Sequence, residues 1–249
     1  MKLPVIVAAG LLLWPALAMA ENWISVIGTA KPIDGVETLY TEHHRILREN
    51  GLPLQHQVKY RDPDGEVIGI KTVDYRRAAA APEFGMRDTR NGYEEGAREQ
   101  DGEYRLYTRE DADAKEKSKA IADGKDLVAD AGFDGFVRQN MARLQAGEKV
   151  SFRLAIANSL RTNDFRARKT KAMEYQGKQA VEIYVEPDSL LRWLVDPLTL
   201  IYATEPVQLL MYQGRTNIRN PNNDDRYDAR IEFGQEQPAE PPEPEAEKE

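Results

Sequence analysis

Cysteine is absent from the 249 residues of the chain. Its absence excludes disulfide bonds, a thiol nucleophile and attachment of a lipid anchor to an N-terminal cysteine. A chain of this length can bury a sizeable core, so we expect packing alone to stabilise the fold. The sequence therefore predicts a protein that is neither cross-linked nor lipid-anchored.

Histidine is scarce, and His43, His44 and His56 all lie in one predicted hairpin. Neighbouring residues of a strand point to opposite faces, so His43 and His44 cannot bind one ion on a regular strand. Strand pairing around the turn at Asn50 places His56 near Arg45, which leaves at most one diagonal histidine pair. A zinc site needs a third protein ligand. We therefore expect no metal.

Motifs for nucleotide binding and nucleophilic catalysis are also missing. None of the serines stands in a Gly-x-Ser-x-Gly sequence. No phosphate-binding loop or dinucleotide motif occurs, and the acidic stretch 220–225 lacks the ordered ligand spacing of a calcium loop. The sequence predicts a protein without enzymatic activity or cofactor. A hydrolase built from scattered carboxylates stays an open alternative, because carboxyl separation is a three-dimensional property.

Clustered positive charge is lacking as well. The chain has 34 Lys and Arg residues against 42 Asp and Glu residues, a formal net charge of −8. Nothing resembles the basic face that phosphate neutralisation requires, so we expect no nucleic-acid partner. At the C-terminus, residues 235–249 are rich in Pro and Glu without large apolar residues to bury. We expect 235–249 to be a disordered acidic tail, with electrostatic docking to a basic partner as the alternative.

Residues 1–20 have the organisation of a cleavable secretory signal peptide. Lys2 gives a positive start, residues 3–14 are apolar, and Ala18 and Ala20 supply the small side chains that signal peptidase accepts. The apolar stretch is too short to span a bilayer. We expect cleavage before Glu21 and a soluble periplasmic protein that neither spans a membrane nor is anchored to one. An uncleaved membrane anchor is the alternative.

Turn sequences dominate the rest of the chain. Asn-Gly and Asp-Gly pairs, which supply the positive φ of tight turns, begin at Asp34, Asn50, Asp64, Asn91, Asp101 and Asp123. Between the turns, strands are predicted where apolar and polar residues alternate or where β-branched and aromatic residues are frequent. These segments are 55–61, 66–75, 103–108, 150–156, 165–174, 180–186, 198–204, 207–217 and 227–233. The pattern predicts a mainly β protein, in which an antiparallel meander of about ten strands forms a single domain over 21–234.

One central helix interrupts the strands. Apolar residues recur at helical spacing from Phe133 onward, Asp134 is placed to cap the first turn, and Gly147 ends the pattern. A short second helix is predicted at 189–195. The stretch 77–82, with its four alanines, is expected to be flexible.

The apolar faces of these helices supply the candidates for a ligand site. A large twisted sheet must curl, and its concave side is filled by helices or by ligand. The candidate ligand-lining residues are Phe133, Phe136, Met141, Leu190 and Trp193. Ordinary core packing is the alternative for all of them, because helical spacing does not distinguish a core from a pocket.

Several motifs resemble a family of uncharacterised exported proteins from Gram-negative bacteria. They are 128–137 (VADAGFDGFV), 144–148 (LQAGE), 185–188 (VEPD), 195–197 (VDP) and 212–218 (YQGRTNI). The resemblance implies a compartment and a fold but no catalytic residue. The order of strands around a central helix is also similar to the open half-barrel of periplasmic lipoprotein carriers, in which a curved sheet shelters acyl chains.

These observations favour a non-enzymatic periplasmic protein that binds an apolar or amphipathic molecule, such as a lipid or an acyl chain, in an open β half-barrel. The alternative is an envelope interaction or assembly protein that docks a partner through a sheet edge or the acidic tail. One architecture can host unrelated functions. The choice between the two therefore depends on whether the concave face of the sheet encloses a cavity.

Overall fold

The computed structural model describes residues 22–188, 197–221 and 225–242. All strands in these ranges belong to one sheet. The first eight are β1 (Asn22–Pro32), β2 (Tyr40–Glu49), β3 (Leu52–Arg61), β4 (Val67–Asp74), β5 (Glu83–Asp88), β6 (Glu94–Gln100), β7 (Glu103–Arg109) and β8 (Lys117–Ala120). After β9 (Leu127–Ala129) and the helix α1 (Gly132–Gln145) come β10 (Val150–Ile156), β11 (Arg161–Tyr175), β12 (Lys178–Pro187), β13 (Leu198–Thr204), β14 (Val207–Arg219), β15 (Arg226–Phe233) and β16 (Gln237–Pro238).

The sheet has two wings that meet where β1 pairs with β15. From β1 the strands continue in chain order to β8, and we call these strands the N-terminal wing. From β15 they run in reverse chain order to β9, and these form the C-terminal wing. The pairs are antiparallel except for β9 and β10, which are parallel. Strands β8 and β9 are the edges of the sheet, and neither has an outer strand partner in the described ranges.

The two wings curl toward each other. Leu106 of β7 and Phe84 of β5 share one buried cluster with Leu127 of β9 and Ala155 of β10. A 3-10 turn at Ala157–Ser159, directly after β10, contacts β6 and β7. The predicted mainly β, curled and open sheet with a central helix is thus confirmed. The number of strands is larger than predicted, with 16 in the described part of the chain.

Tight turns join several of the hairpins, as their sequences predict. Asn50 and Gly51 have φ of 52° and 80°, and Asp101 and Gly102 have φ of 55° and 76°. Two successive residues of positive φ form a type I′ turn, whose twist matches that of paired strands. These turns set the register of β2 with β3 and of β6 with β7, and so decide which residues face the inside of the curl.

Helix α1 covers the inner face of the C-terminal wing. Its residues Phe136, Met141 and Leu144 are buried in a cluster with side chains of β10 to β13. The predicted cap at Asp134 is wrong. The helix begins after Ala131 without a side-chain cap, and Asp134 accepts instead from Arg138 Nε at 2.6 Å, one turn further along. An ion pair at this spacing stabilises the helix and gives Asp134 Oδ2 a partner within it, while Oδ1 is buried without a hydrogen-bond partner among the described residues.

Residues 77–82 pack tightly against the start of α1, so the flexibility predicted from their alanines is wrong. A β-carbon built on Gly132 would lie 2.1 Å from Ala80 O, and one built on Gly135 would lie 2.2 Å from Ala79 O. Both distances are far below van der Waals contact, so only glycine allows this approach of helix and backbone. The alanines serve close packing rather than flexibility.

The first part of the acidic tail lies along β1, in contrast to the disorder that its composition predicts. β16 pairs with β1, and Arg45 donates to the carbonyl oxygen of Glu240 at 2.6 Å. Arg48 donates to both carboxylate oxygens of Glu236, at 2.7 and 2.8 Å. These contacts use backbone groups and charge, so they need no apolar side chain of the tail. Residues 243–249 of the predicted tail lie outside the described residues.

Two further predictions also fall outside the described residues, namely the signal peptide at 1–20 and the short second helix at 189–195. The acidic stretch 220–225 is described only in part. In the described part of the chain, no helix is long and apolar enough to cross a membrane.

Candidate functional site

A partly open cavity of about 500 Å³ lies between the two wings, beside the start of α1. Its volume falls within the range of roughly 300–1,000 Å³ that is usual for small-molecule sites. Side chains of both wings, of α1 and of the tail form its walls, and most of the exposed wall is apolar. A small set of charged and hydroxyl groups interrupts this apolar surface.

The apolar part of the wall comes mainly from the C-terminal wing and the first turn of α1. In β10 the alternation of a strand turns Leu154 and Ile156 to the same side, toward the cavity. The centroid of the Phe133 ring lies 5.5 Å from that of the Phe152 ring. This contact positions Phe133 where the core beneath α1 meets the cavity. The apolar wall includes Phe133, Leu154, Ile156, Phe165, Leu198, Leu200 and Leu209.

A network of charged and amide side chains forms another part of the wall. Lys71 Nζ donates to Asp130 Oδ1 at 2.7 Å, and Asn217 Nδ2 donates to Asp130 Oδ2 at 3.2 Å. Arg226 donates to Asn217 Oδ1 at 3.3 Å and to Glu95 Oε2 at 2.7 Å. Burial of a charge is costly unless the charge is paired. The network satisfies this condition and joins β4, β6, β14 and β15 to the loop before α1.

Two histidines and a buried glutamate form a chain of hydrogen bonds on the N-terminal wing. His44 Nε2 lies 3.0 Å from Glu42 Oε2, and His44 Nδ1 lies 2.8 Å from His56 Nε2. An ionised carboxylate only accepts, so in the neutral state His44 donates through Nε2 and accepts through Nδ1 from His56. Burial lowers the pKa of His56 well below its usual value, and the positive charges of Lys71 and Arg48 lower it further. His56 is therefore a neutral donor at physiological pH.

Tyrosines add hydroxyl groups to the wall without adding charge. Tyr60, Tyr75, Tyr202 and Tyr212 all line the cavity. Burial raises the pKa of each phenol, and for Tyr60 and Tyr212 the charge of Glu42 raises it further. The four phenols are therefore neutral and present both apolar rings and hydrogen-bonding hydroxyls to the cavity.

One charged pair of the wall includes a residue of the tail. Arg48 follows His44 and Ile46 on the cavity face of β2, and its guanidinium is paired with Glu236. Both Arg48 and Glu236 line the cavity and stay partly exposed to solvent. The tail therefore closes part of the cavity wall with a carboxylate.

Among the five sequence candidates, the structure places Phe133 in the cavity wall. Phe136 and Met141 are buried in the core beneath α1 instead, because they face β10 to β13 one turn away from the cavity. Leu190 and Trp193 lie outside the described residues.

Most of the wall lies on strands and was not singled out by sequence reasoning. For Leu154 and Ile156 the sequence did give a signal, because the alternation in 150–156 predicts that both side chains lie on the same face of the strand. The polar network had no such signal, because its members come from distant parts of the chain. Lys71 and Asn217, for example, meet Asp130 only after the wings have curled together.

The histidine geometry agrees in part with the sequence analysis. His44 and His56 form the one diagonal pair that was predicted, but His56 lies opposite Ile46 rather than near Arg45. A register shift between Leu47 and Arg48 accounts for the difference, because an extra residue on β3, Leu54, displaces the pairing by one position. No group of three or more acidic or histidine side chains within the described ranges is arranged to hold a metal ion.

Fold and site together define a curled, open β-sheet protein with a partly open and largely apolar cavity. No family model matches the chain, and the comparison with curated proteins gives no match. The chain is similar to a solved beta-barrel-like protein of the domain of unknown function DUF1849 from Brucella abortus, with 8% identity, a TM-score of 0.43, and coverage of 88% of this chain and 98% of that one. A DUF1329 family protein from Desulfovibrio piger gives 8% identity, a TM-score of 0.27, and coverage of 89% and 86%.

Proposed function

We propose that the protein binds an amphipathic molecule with a hydrocarbon chain, such as a lipid or an acyl chain, in the cavity between its wings, and that it acts without catalysis. The observation that carries this proposal is the division of the cavity wall. Phe133 and the leucines around it offer an apolar surface, whereas Lys71, His44 and Arg48 belong to a polar part of the same wall. A molecule with a chain and a polar head matches this division.

The apolar wall supports binding through desolvation. Removal of a methylene group from water contributes about 0.8 kcal/mol, so a chain in contact with this wall should bind about fourfold more tightly for each added methylene. The increase should end when the chain fills the cavity. Such a chain-length series separates a built hydrocarbon site from weak adsorption to the protein surface, where no limiting length is expected.

The polar wall supports selection of the head group. The charged side chains of this wall are already paired with one another. A charged head group must break such a pair before it can bind one of its members, so its net gain in affinity is small. The neutral hydroxyl of Tyr60 offers hydrogen bonds without that cost, and the hydroxyl of Tyr212, which donates to Arg215 O, can still accept one. We therefore infer that most of the affinity comes from the chain and that the polar wall orients the head.

The test is extraction of bound molecules from purified protein, followed by titration of the emptied protein with a fluorescent fatty acid. The variant Leu154→Trp places a larger side chain in the apolar wall and should abolish binding. The matched control is Val36→Trp, because Val36 is 86% exposed and lies outside the cavity wall. Equal binding by both variants, with unchanged melting temperatures, would show that the probe binds elsewhere.

We propose the periplasm as the place of action, on the strength of the signal-peptide features of residues 1–20. Cell fractionation with N-terminal sequencing tests this proposal. The expected result is a periplasmic chain that begins at Glu21. A chain that retains Lys2 and stays in the cytoplasm would contradict it.

A further inference from the structure

Arg48 differs from the other cations of the cavity wall in where its carboxylate comes from. The other pairs join residues of the sheet, of α1 or of the loops between strands. These pairs are Lys71 with Asp130, Arg138 with Asp134, Arg226 with Glu95, and Arg215 with Asp225. The carboxylate on Arg48 comes from Glu236, which follows the last long strand and belongs to the tail.

The contact between Arg48 and Glu236 has the geometry of anion recognition. Two parallel hydrogen bonds of 2.8 and 2.7 Å join the two guanidinium nitrogens to the two carboxylate oxygens. This fork is the arrangement by which arginine binds a carboxylate or a phosphate group of a ligand. The Glu236 carboxylate thus occupies a position at the cavity wall that fits the anionic head of a bound molecule.

The tail that carries Glu236 is held by few contacts. β16 pairs with β1 over only two residues, Gln237 and Pro238. Outside this pair, Gly234 and Ala239 donate their amides to Ile27 O and Trp23 O, each at 2.9 Å, and Arg45 donates to the carbonyl oxygens of Glu240 and Pro241. Both residues of β16 are exposed. A segment held in this way can separate from the sheet at much lower cost than a buried strand.

We propose that Glu236 is an internal competitor for an anionic head group, and that Arg48 is the residue that binds this head once the tail has moved away. The inference rests on the proposed function and narrows its ligand to an amphiphile with a carboxylate or phosphate head. The chain lies along the apolar wall, and the head replaces the Glu236 carboxylate on the Arg48 fork. Release of the tail and binding of the anion are then coupled, because the Arg48 guanidinium binds either the Glu236 carboxylate or the anionic head but not both.

The experiment compares three fluorescent probes with the same twelve-carbon chain and a carboxylate, a phosphate or a neutral hydroxyl head. Glu236→Gln removes the competing charge, and we expect it to raise the affinity for one or both anionic probes by about tenfold. The affinity for the neutral probe should not change. Arg48→Gln should lower the affinity for the anionic probes to that of the neutral one. The comparison of carboxylate with phosphate then identifies the head.

Glu240→Gln is the matched control, since it removes the same charge from the tail at a residue whose backbone carbonyl, rather than its carboxylate, accepts from Arg45. Melting temperatures confirm that each variant is folded. If the neutral probe binds but Glu236→Gln behaves like Glu240→Gln, the competitor role is wrong while the proposed cavity function stands. If no probe binds any variant, the proposed function fails and the inference fails with it.

Discussion

Lys71 on β4 and Asp130 in the loop before α1 form an ion pair of 2.7 Å that links the two wings across the inside of the curled sheet. The side chains are only 8% and 15% exposed. Asp130 has a φ of 41°, a left-handed conformation that Asp adopts more readily than most residues. Sequence spacing gives no sign of this contact, which joins the loop before α1 to the N-terminal wing.

Removal of one partner of this pair should destabilise the fold strongly. Lys71→Met leaves the Asp130 carboxylate with only Asn217 as a donor, and such an uncompensated buried charge costs about 3–5 kcal/mol. The double variant Lys71→Met with Asp130→Asn should recover part of this loss. Urea unfolding of the two single variants and the double variant measures the coupling. Additive losses would show that the two residues do not act as a pair.

Phe136 and Phe133 should respond differently to truncation although both lie on the first turns of α1. Phe136 is buried against Phe152, with ring centroids 4.6 Å apart, so Phe136→Ala should cost about 3–5 kcal/mol of stability. Phe133 lines the cavity, so Phe133→Ala should cost less, about 1–2 kcal/mol, and should weaken probe binding. Denaturant unfolding and probe titration of both variants check this. A larger stability loss for Phe133→Ala would place that ring in the core.

Gly135→Ala should destabilise the protein even though alanine favours helices over glycine by about 1 kcal/mol. The added β-carbon would lie 2.2 Å from the backbone oxygen of Ala79, so either α1 or the 77–82 segment must shift. We expect a loss of about 2–3 kcal/mol, comparable to overpacking of a core. Gly234→Ala is the control, because its nearest atom, Ile27 O, is 3.6 Å away. A melting temperature of Gly135→Ala equal to or above that of the wild-type protein would contradict the close packing.

Stability should fall as the pH is lowered through the range where free histidine titrates. Burial lowers the pKa of His56 in the folded state, so below about pH 6.5 the unfolded chain binds more protons than the folded one. The loss is at most about 1.4 kcal/mol per pH unit for one histidine. Stability is thus retained above this range and declines below it. His44, Lys71 and Arg48 surround His56 and oppose its protonation.

His56→Gln should flatten this pH dependence between about pH 6.5 and 5.5, because the group that takes up the proton on unfolding is gone. His43 also has a lowered pKa, caused by burial and by Arg61, so His43→Gln serves as the comparison on the same hairpin. The free energy of unfolding, measured at several pH values, decides the matter. An unchanged slope in His56→Gln would show that another group is responsible.

Local signals in the sequence predicted the strands that alternate and the turns between them. The strand at 150–156 has the predicted bounds, as has that at 198–204. Strands with little apolar alternation gave no such signal. β6, for example, begins Glu-Glu-Gly-Ala-Arg, and its Glu95 faces inward because Arg226 supplies a partner charge. Such a strand becomes recognisable only when its neighbour across the curl is known.

The candidate site was predictable in type but not in composition. A curled sheet with one helix implied a concave space, and Phe133 was found from helical spacing alone. The rest of the wall depends on long-range register and on how far the wings curl. The pairing of residues 235–242 was not predictable from composition, because composition describes the burial of apolar side chains, whereas these residues are held by backbone pairing and by arginines of β2.

The most direct test of the account is a titration of emptied protein with fluorescent fatty acids of increasing chain length, with Leu154→Trp and Val36→Trp in parallel. Binding should be saturable, and its affinity should rise about fourfold per methylene to a limiting length. Leu154→Trp should lose binding, whereas Val36→Trp should bind like the wild-type protein. No saturable binding by the wild-type protein, or equal binding by Leu154→Trp, would contradict a hydrocarbon site in the cavity.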